Sequence, residues 1–169
     1  MPGARWFPGS TLNFAEHLLR HRGDKAAIVS YLENGERRET SFSQLRADTG
    51  ALAHWLRQQG IKAGDRVVGI MPNITETVVG MLATTSLGGV WSSCSPDFGV
   101  QGLLDRFGQV APEILICTDG YFYNGKRVDC RGKIRDVVAQ LPSVKKVLVV
   151  PVLDANPDLS LFTNALQWE

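Results

Sequence analysis

No apolar stretch of this chain approaches the ~20 residues that cross a bilayer as a helix. The longest candidate, 78–90, is short and interrupted by Gly80, Gly88 and Gly89. Residues 1–8 read Met-Pro-Gly-Ala-Arg-Trp-Phe-Pro, without the apolar core of a secretion signal, so a cytoplasmic location is expected. Cysteine is scarce. Cys94, Cys117 and Cys130 are odd in number and form no CxxC pair, which argues against a disulfide framework and against zinc. His17 and His21 stand four apart, but no HExxH surrounds them, so no metal site is expected. The phosphate loop GxxxxGK[ST] and the dinucleotide fingerprint GxGxxG are both missing. No Ser-His-Asp or Cys-His arrangement stands out along the chain. Charge of one sign is missing too: 18 basic against 17 acidic groups leave a net +1. Such a balance gives no field to recruit nucleic acid or an anionic membrane, although a local basic spot still suits a small anion.

What is present is an ordinary globular composition, 44% apolar and 21% charged over 169 residues. That length suits one domain or large subdomain with a single core. Leu12, Ala15, Leu18 and Leu19 recur at helical spacing, with Asn13 or Thr11 as the cap. Residues 26–32 read as a strand. An Asn34-Gly35 turn and a returning strand over 37–42 complete a hairpin. Ser41 or Ser43 caps a helix that runs to about Gln59 and stops at Gly60.

From there strands and helices alternate. Strands are expected over 66–71, 90–94, 113–117 and 146–150, and helices over 74–87, 98–107 and 134–141. The strands are nearly continuous apolar runs, as in parallel sheets covered on both faces. Right-handed crossovers then give an α/β fold, a three-layer αβα subdomain with a mostly parallel sheet, plus the N-terminal hairpin. Past Pro151 the chain turns to loop chemistry, and 161–168 is expected to form a short helix.

Four stretches are candidates for function. Gly64-Asp65-Arg66-Val67 reads as a tight turn with charges at its rim. Residues 91–99 (WSSCSPDFG) end a parallel strand and open a helix, where open α/β sheets place ligands and where free N–H groups favour phosphate. Ser95 or Asp97 could equally cap that helix with nothing bound. Residues 119–127 (DGYFYNGKR) form an aromatic loop ending in Lys126 and Arg127, either a solvated hairpin or a cationic partner for phosphate at the same sheet edge. Cys130 reads as a partly exposed structural thiol.

Trp6-Phe7-Pro8-Gly9, residues 12–16 (LNFAE), and the 91–99 and 119–127 stretches together resemble the acetoacetyl-CoA synthetases, a branch of the adenylate-forming superfamily. The turn at Gly64 and the Met71-Pro72-Asn73 strand end are shared more widely across it. The resemblance covers nearly the whole chain. It implies that 1–24 are an N-terminal loop and helix, and that 25–169 are part of the family's N-terminal α/β domain. It implies a parent ligase that uses ATP and Mg²⁺ to activate acetoacetate as an acyl-adenylate, then passes the acyl group to CoA. The Thr/Ser/Gly-rich loop followed by Pro-Lys, the acyl pocket and the catalytic lysine of that family have no counterpart in these residues. A fragment that is inactive alone, docks the remainder of its parent chain and binds no cofactor tightly is therefore expected.

The resemblance also implies a role in holding CoA. Ser95, Pro96 and Asp97 fall where acetyl-CoA synthetase places Phe-Gly-Gly beside CoA. Tyr123 and Lys126 fall where it places two arginines near the CoA nucleotide. Only Lys126 keeps a cation, and Arg127 beside it can supply the second. Two rival readings stay open: a stand-alone module that binds CoA or a nucleotide without chemistry, and an interaction domain with an adhesive sheet edge.

Overall fold

Residues in the central strands divide cleanly between two cores. Val67, Ile114, Ile116, Leu148 and Val150 face one cluster, and Val68, Ile70, Leu115, Cys117, Val147 and Val149 face the other. This alternation, in strands with almost no polar residue, requires a cover on each face. A computed structural model describes residues 2–169. Its five-stranded sheet has the order β4-β3-β5-β8-β9, with β3 Arg66–Ile70, β4 Val90–Cys94, β5 Ile114–Thr118, β8 Lys146–Val150 and β9 Ala165–Gln167. Every neighbouring pair in it is parallel. Helices α2 (Phe42–Gln58) and α3 (Thr75–Ser86) cover one face, and α4 (Val100–Phe107) and α5 (Arg131–Val138) the other. The three-layer α/β expectation is met. Two antiparallel hairpins stand apart from the sheet: β1 Ala26–Tyr31 with β2 Arg37–Ser41, and β6 Gly120–Tyr123 with β7 Lys126–Asp129. Among the described residues no helix is long and apolar enough to cross a membrane.

Local chemistry sets most boundaries. Helix α1 (Phe14–Leu18) starts at Asn13, whose side chain accepts the Glu16 N–H at 3.0 Å. The Asn13 amide also donates to the Ser86 carbonyl at 3.1 Å, which ties α1 to the end of α3. Ser41 caps α2 through the Gln44 N–H, at 3.1 Å. Gly60, at φ +89°, ends that helix in the left-handed region that glycine alone adopts without penalty. Leu45, Leu52 and Leu56 recur every three or four residues on its buried face. The turn at Gly64 is structural: the Asp65 carboxylate accepts the Lys62 N–H at 2.9 Å, which lowers its pKa. Arg66 joins the Val110 carbonyl and Glu113 beside it.

Several expectations are corrected. Residues 161–168 are not a helix. The Trp168 N–H donates to the Val149 carbonyl at 2.8 Å, and Asn164 accepts from Val147 at 3.1 Å. The open edge of β8 captured this segment as β9, because ladder bonds outweigh a weak helical preference. Helix α5 begins three residues before the expected start, since Asp129 accepts the Arg131 N–H at 2.8 Å and opens the first turn. Leu141 is buried just past its end. Strand β4 is an edge strand, with Val90 48% exposed rather than covered. Gly80, read as an interruption of an apolar run, lies inside α3, where a Cβ would come within 2.9 Å of the Trp91 ring.

Candidate functional site

Both candidate stretches lie at the C-terminal edge of the parallel sheet, where the strands of such folds deliver loops to a ligand. Residues 95–99 leave β4, and the β6–β7 hairpin follows β5 at once. Strand β3 separates β4 from β5 in the sheet. Even so, the loops after β4 and β5 meet. The carbonyl of the buried Pro96 accepts from the Lys133 ammonium of α5 and faces the Cys130 thiol at 3.9 Å. Burial raises the Tyr121 phenol pKa, with Cys130 and Asp97 acting in the same direction to a smaller extent.

Neither Ser95 nor Asp97 caps α4. Its N-cap is Gly99, without a side-chain bond, and the Ser95 carbonyl accepts the Phe98 N–H at 3.3 Å instead. The helix starts two residues later than expected: Phe98 stays outside it, half-buried against the core, with the Arg106 guanidinium carbon 4.6 Å from its ring centroid. Ser95 and Asp97 are exposed and flank the buried Pro96.

The hairpin closes through Asn124 and Gly125 at φ 49° and 71°, the two successive left-handed residues of a type I′ turn. Tyr123 and Lys126 pair across its tip and are exposed. The Asn124 N–H donates to Glu33 at 2.6 Å, so the tip leans on the β1–β2 turn. Arg127 donates to the Leu153 carbonyl at 3.0 Å and to Asp154 at 2.7 Å. The six candidates therefore form two groups. Ser95, Pro96 and Asp97 sit with the hairpin base and the start of α5. Tyr123, Lys126 and Arg127 sit toward its tip, about 10 Å along the strands from Cys130 at ~3.3 Å per residue.

A cavity of about 230 Å³ opens at this edge between the two hairpins, among Tyr31, Pro72, Ile74, Tyr121, Phe122 and Pro151. A larger apolar groove of about 350 Å³ lies against β9, between Leu52, Trp55, Leu166 and Trp168, and contains none of the candidates.

Two residues at the edge were not singled out from sequence. Lys133 is the cation that meets the Pro96 loop. It was hidden because the helix carrying it was expected to begin at Ile134. Asp119 is 1% exposed and accepts backbone N–H groups from Val152, Leu153 and Asp154 at 2.7 to 3.1 Å. A strand-end Asp beside Gly was the only signal. Gly120 must stay glycine, since a Cβ there would fall 2.4 Å from the Val128 carbonyl. Cys130 is fully buried rather than partly exposed, and its burial raises the thiol pKa, against a smaller opposing effect of Lys133. It is therefore a poor nucleophile.

A family model described as AMP-binding enzyme matches residues 14–167. The chain belongs to the AMP-binding enzyme family. Within it, the acetoacetyl-coenzyme A synthetase of Rhizobium meliloti (strain 1021) is 52% identical over 141 residues, covering 83% of this chain and 22% of that protein. The acetoacetyl-CoA synthetase of Xenopus tropicalis is 47% identical over 165 residues, 95% of this chain and 25% of that one. Among solved structures, acetoacetyl-CoA synthetase from Streptomyces lividans superposes with a TM-score of 0.91 at 43% identity, over 99% of this chain and 26% of that one. The chain thus spans about a quarter of the length of the relatives it matches.

Cationic and exposed, Lys126 and Arg127 suit an anionic ligand. So does Lys133, half-buried beside the Pro96 loop. Among the described residues no group of three or more His, Cys, Asp and Glu side chains is placed to hold a metal ion.

Proposed function

We propose that this chain forms part of an acetoacetate–CoA ligase and that its sheet edge contributes to the CoA site. The observation that carries the reading is the likeness to acetoacetyl-CoA synthetases over nearly all of these residues, in sequence and in backbone. The meeting of the Pro96 loop with Cys130, at the base of the β6–β7 hairpin, and with Lys133 of α5 supports it.

In the parent reaction a carboxylate oxygen of acetoacetate attacks the α-phosphorus of ATP, and pyrophosphate leaves. The CoA sulfur then attacks the acyl carbon, AMP departs with the bridging oxygen, and the thiol proton is released. Magnesium, when bound elsewhere in the parent, would neutralise the phosphates of ATP. The residues here take part by holding CoA. The exposed rim of Ser95 and Asp97 borders the ligand, and Lys126 and Arg127 pair with phosphate. Tyr123 offers a face for stacking. Small-molecule substrates and a cytoplasmic setting belong to the same proposal.

These 169 residues contain no Thr/Ser/Gly-rich loop followed by Pro-Lys, so the purified chain is expected to catalyse no acetoacetate-dependent exchange of pyrophosphate into ATP. Measurable exchange would overturn that part. Saturable binding of CoA, lost in Lys126→Ala/Arg127→Ala, tests the site.

A further inference from the structure

Asp119 closes β5 with every polar atom engaged. Oδ1 accepts the N–H groups of Val152 at 2.7 Å and Leu153 at 3.0 Å, and Oδ2 those of Leu153 at 3.1 Å and Asp154 at 2.9 Å. Its own N–H donates to Val150 at 3.3 Å, and its carbonyl accepts from Cys130 at 2.9 Å. Three successive N–H groups converging on one carboxylate make an anion nest, filled here by the chain's own side chain. Bonds of this kind are charge-assisted and short, so the 152–154 turn is held firmly.

That turn presents the two groups that hold Arg127, the Leu153 carbonyl and the Asp154 carboxylate, and both bind the same terminal nitrogen. A guanidinium carries five donors on three nitrogens. Neither contact uses Nε or Nη1 of this exposed side chain. On its opposite side Asp119 holds Cys130, the residue before α5, and α5 carries the Lys133 that grips Pro96. Asp119 thus touches both halves of the candidate site, the 152–154 turn through its carboxylate and Cys130 through its backbone carbonyl.

We propose that Asp119 is a positioning residue, which fixes the 152–154 turn so that Arg127 is pre-organised for a phosphate of CoA. The inference rests on the reading of Arg127 as a CoA contact. Its test uses the 169-residue chain with Asp119→Asn, Asp154→Ala, Arg127→Ala and the two doubles with Arg127→Ala. The first readout is the order of the Arg127 Nε–H by ¹⁵N relaxation, without ligand. It is ordered in the parent and mobile in Asp119→Asn and Asp154→Ala. The second is a CoA titration. Each acidic substitution removes a negative charge, so electrostatics alone would tighten binding of anionic CoA. Positioning instead weakens it by about two- to tenfold, the cost of ordering one flexible side chain. The weakening disappears in the Arg127→Ala background, because both act through the same guanidinium.

Tighter binding, an equal loss without Arg127, or an Arg127 as ordered in the variants as in the parent would overturn the inference. If Asp119→Asn fails to fold, the exposed Asp154→Ala carries the same test. If the variants mobilise Arg127 while Arg127→Ala leaves CoA binding unchanged, the CoA reading fails and the structural link stands. If the parent chain does not bind CoA at all, both the CoA reading and this role fall.

Discussion

The Trp91 ring of β4 lies so close to Gly69 of β3 that a Cβ on that glycine would come within 2.8 Å of it. A Cβ on Gly80 of α3 would come within 2.9 Å of the same ring. Two glycines on neighbouring elements thus form a slot for one indole, which seals the edge of the core under β4. Gly69→Ala must displace the ring, and overpacking of this kind costs about 1–3 kcal/mol. A thermal melt should show a lower Tm, with part of the loss recovered in Gly69→Ala/Trp91→Phe. An unchanged Tm in Gly69→Ala would mean that the slot has slack.

Burial raises the pKa of Cys94, Cys117 and Cys130 above the ordinary thiol value. The folded thiols keep their protons where those of the unfolded chain ionise. Their contribution to stability is complete below the unfolded pKa of about 8.5 and is lost as pH rises through it toward the folded values. Urea melts at pH 7 and pH 10 are expected to show lower stability at pH 10, and a smaller drop in Cys117→Ala. An alkaline loss that ignores Cys117 would point to other groups.

Lys133 and Cys130 both address the Pro96 carbonyl. Removing the stronger donor leaves a buried acceptor with only a weak thiol partner. In Lys133→Ala the amides of Ser95, Asp97 and Phe98 should exchange with solvent faster, and CoA binding should weaken about threefold or more, as expected of a lost charged hydrogen bond. Lys133→Arg should recover part of both. Exchange that stays at the parent rate would show that the loop is held by its own turn.

Much of this architecture is readable along the chain because local chemistry decides it. Strands β4 and β8 fall where their apolar runs predict, and Ser41 and Gly60 bracket α2 as cap and stop. The misses come from long-range bonds. Residues 161–168 carry no strand signal of their own, yet Ala165–Gln167 among them become β9 through the ladder offered by β8. Asp97 looks like a cap, yet the Phe98 N–H bonds to the Ser95 carbonyl and the helix starts at Val100 with Gly99 as its N-cap. At the site, the types in the 95–97 and 123–127 stretches suggested a ligand edge. What joins them does not show: Lys133 and Asp119 act on partners more than thirty residues away.

The central claim is that this sheet edge holds CoA, and a titration of the 169-residue chain with CoA, followed by ¹H–¹⁵N NMR, tests it most directly. The account predicts weak but saturable shifts at Ser95, Asp97, Tyr123, Lys126 and Arg127, and at least tenfold weaker binding in Lys126→Ala/Arg127→Ala, as for two lost charge-assisted contacts. Shifts that do not saturate, or a double variant that binds CoA as well as the parent, would contradict it.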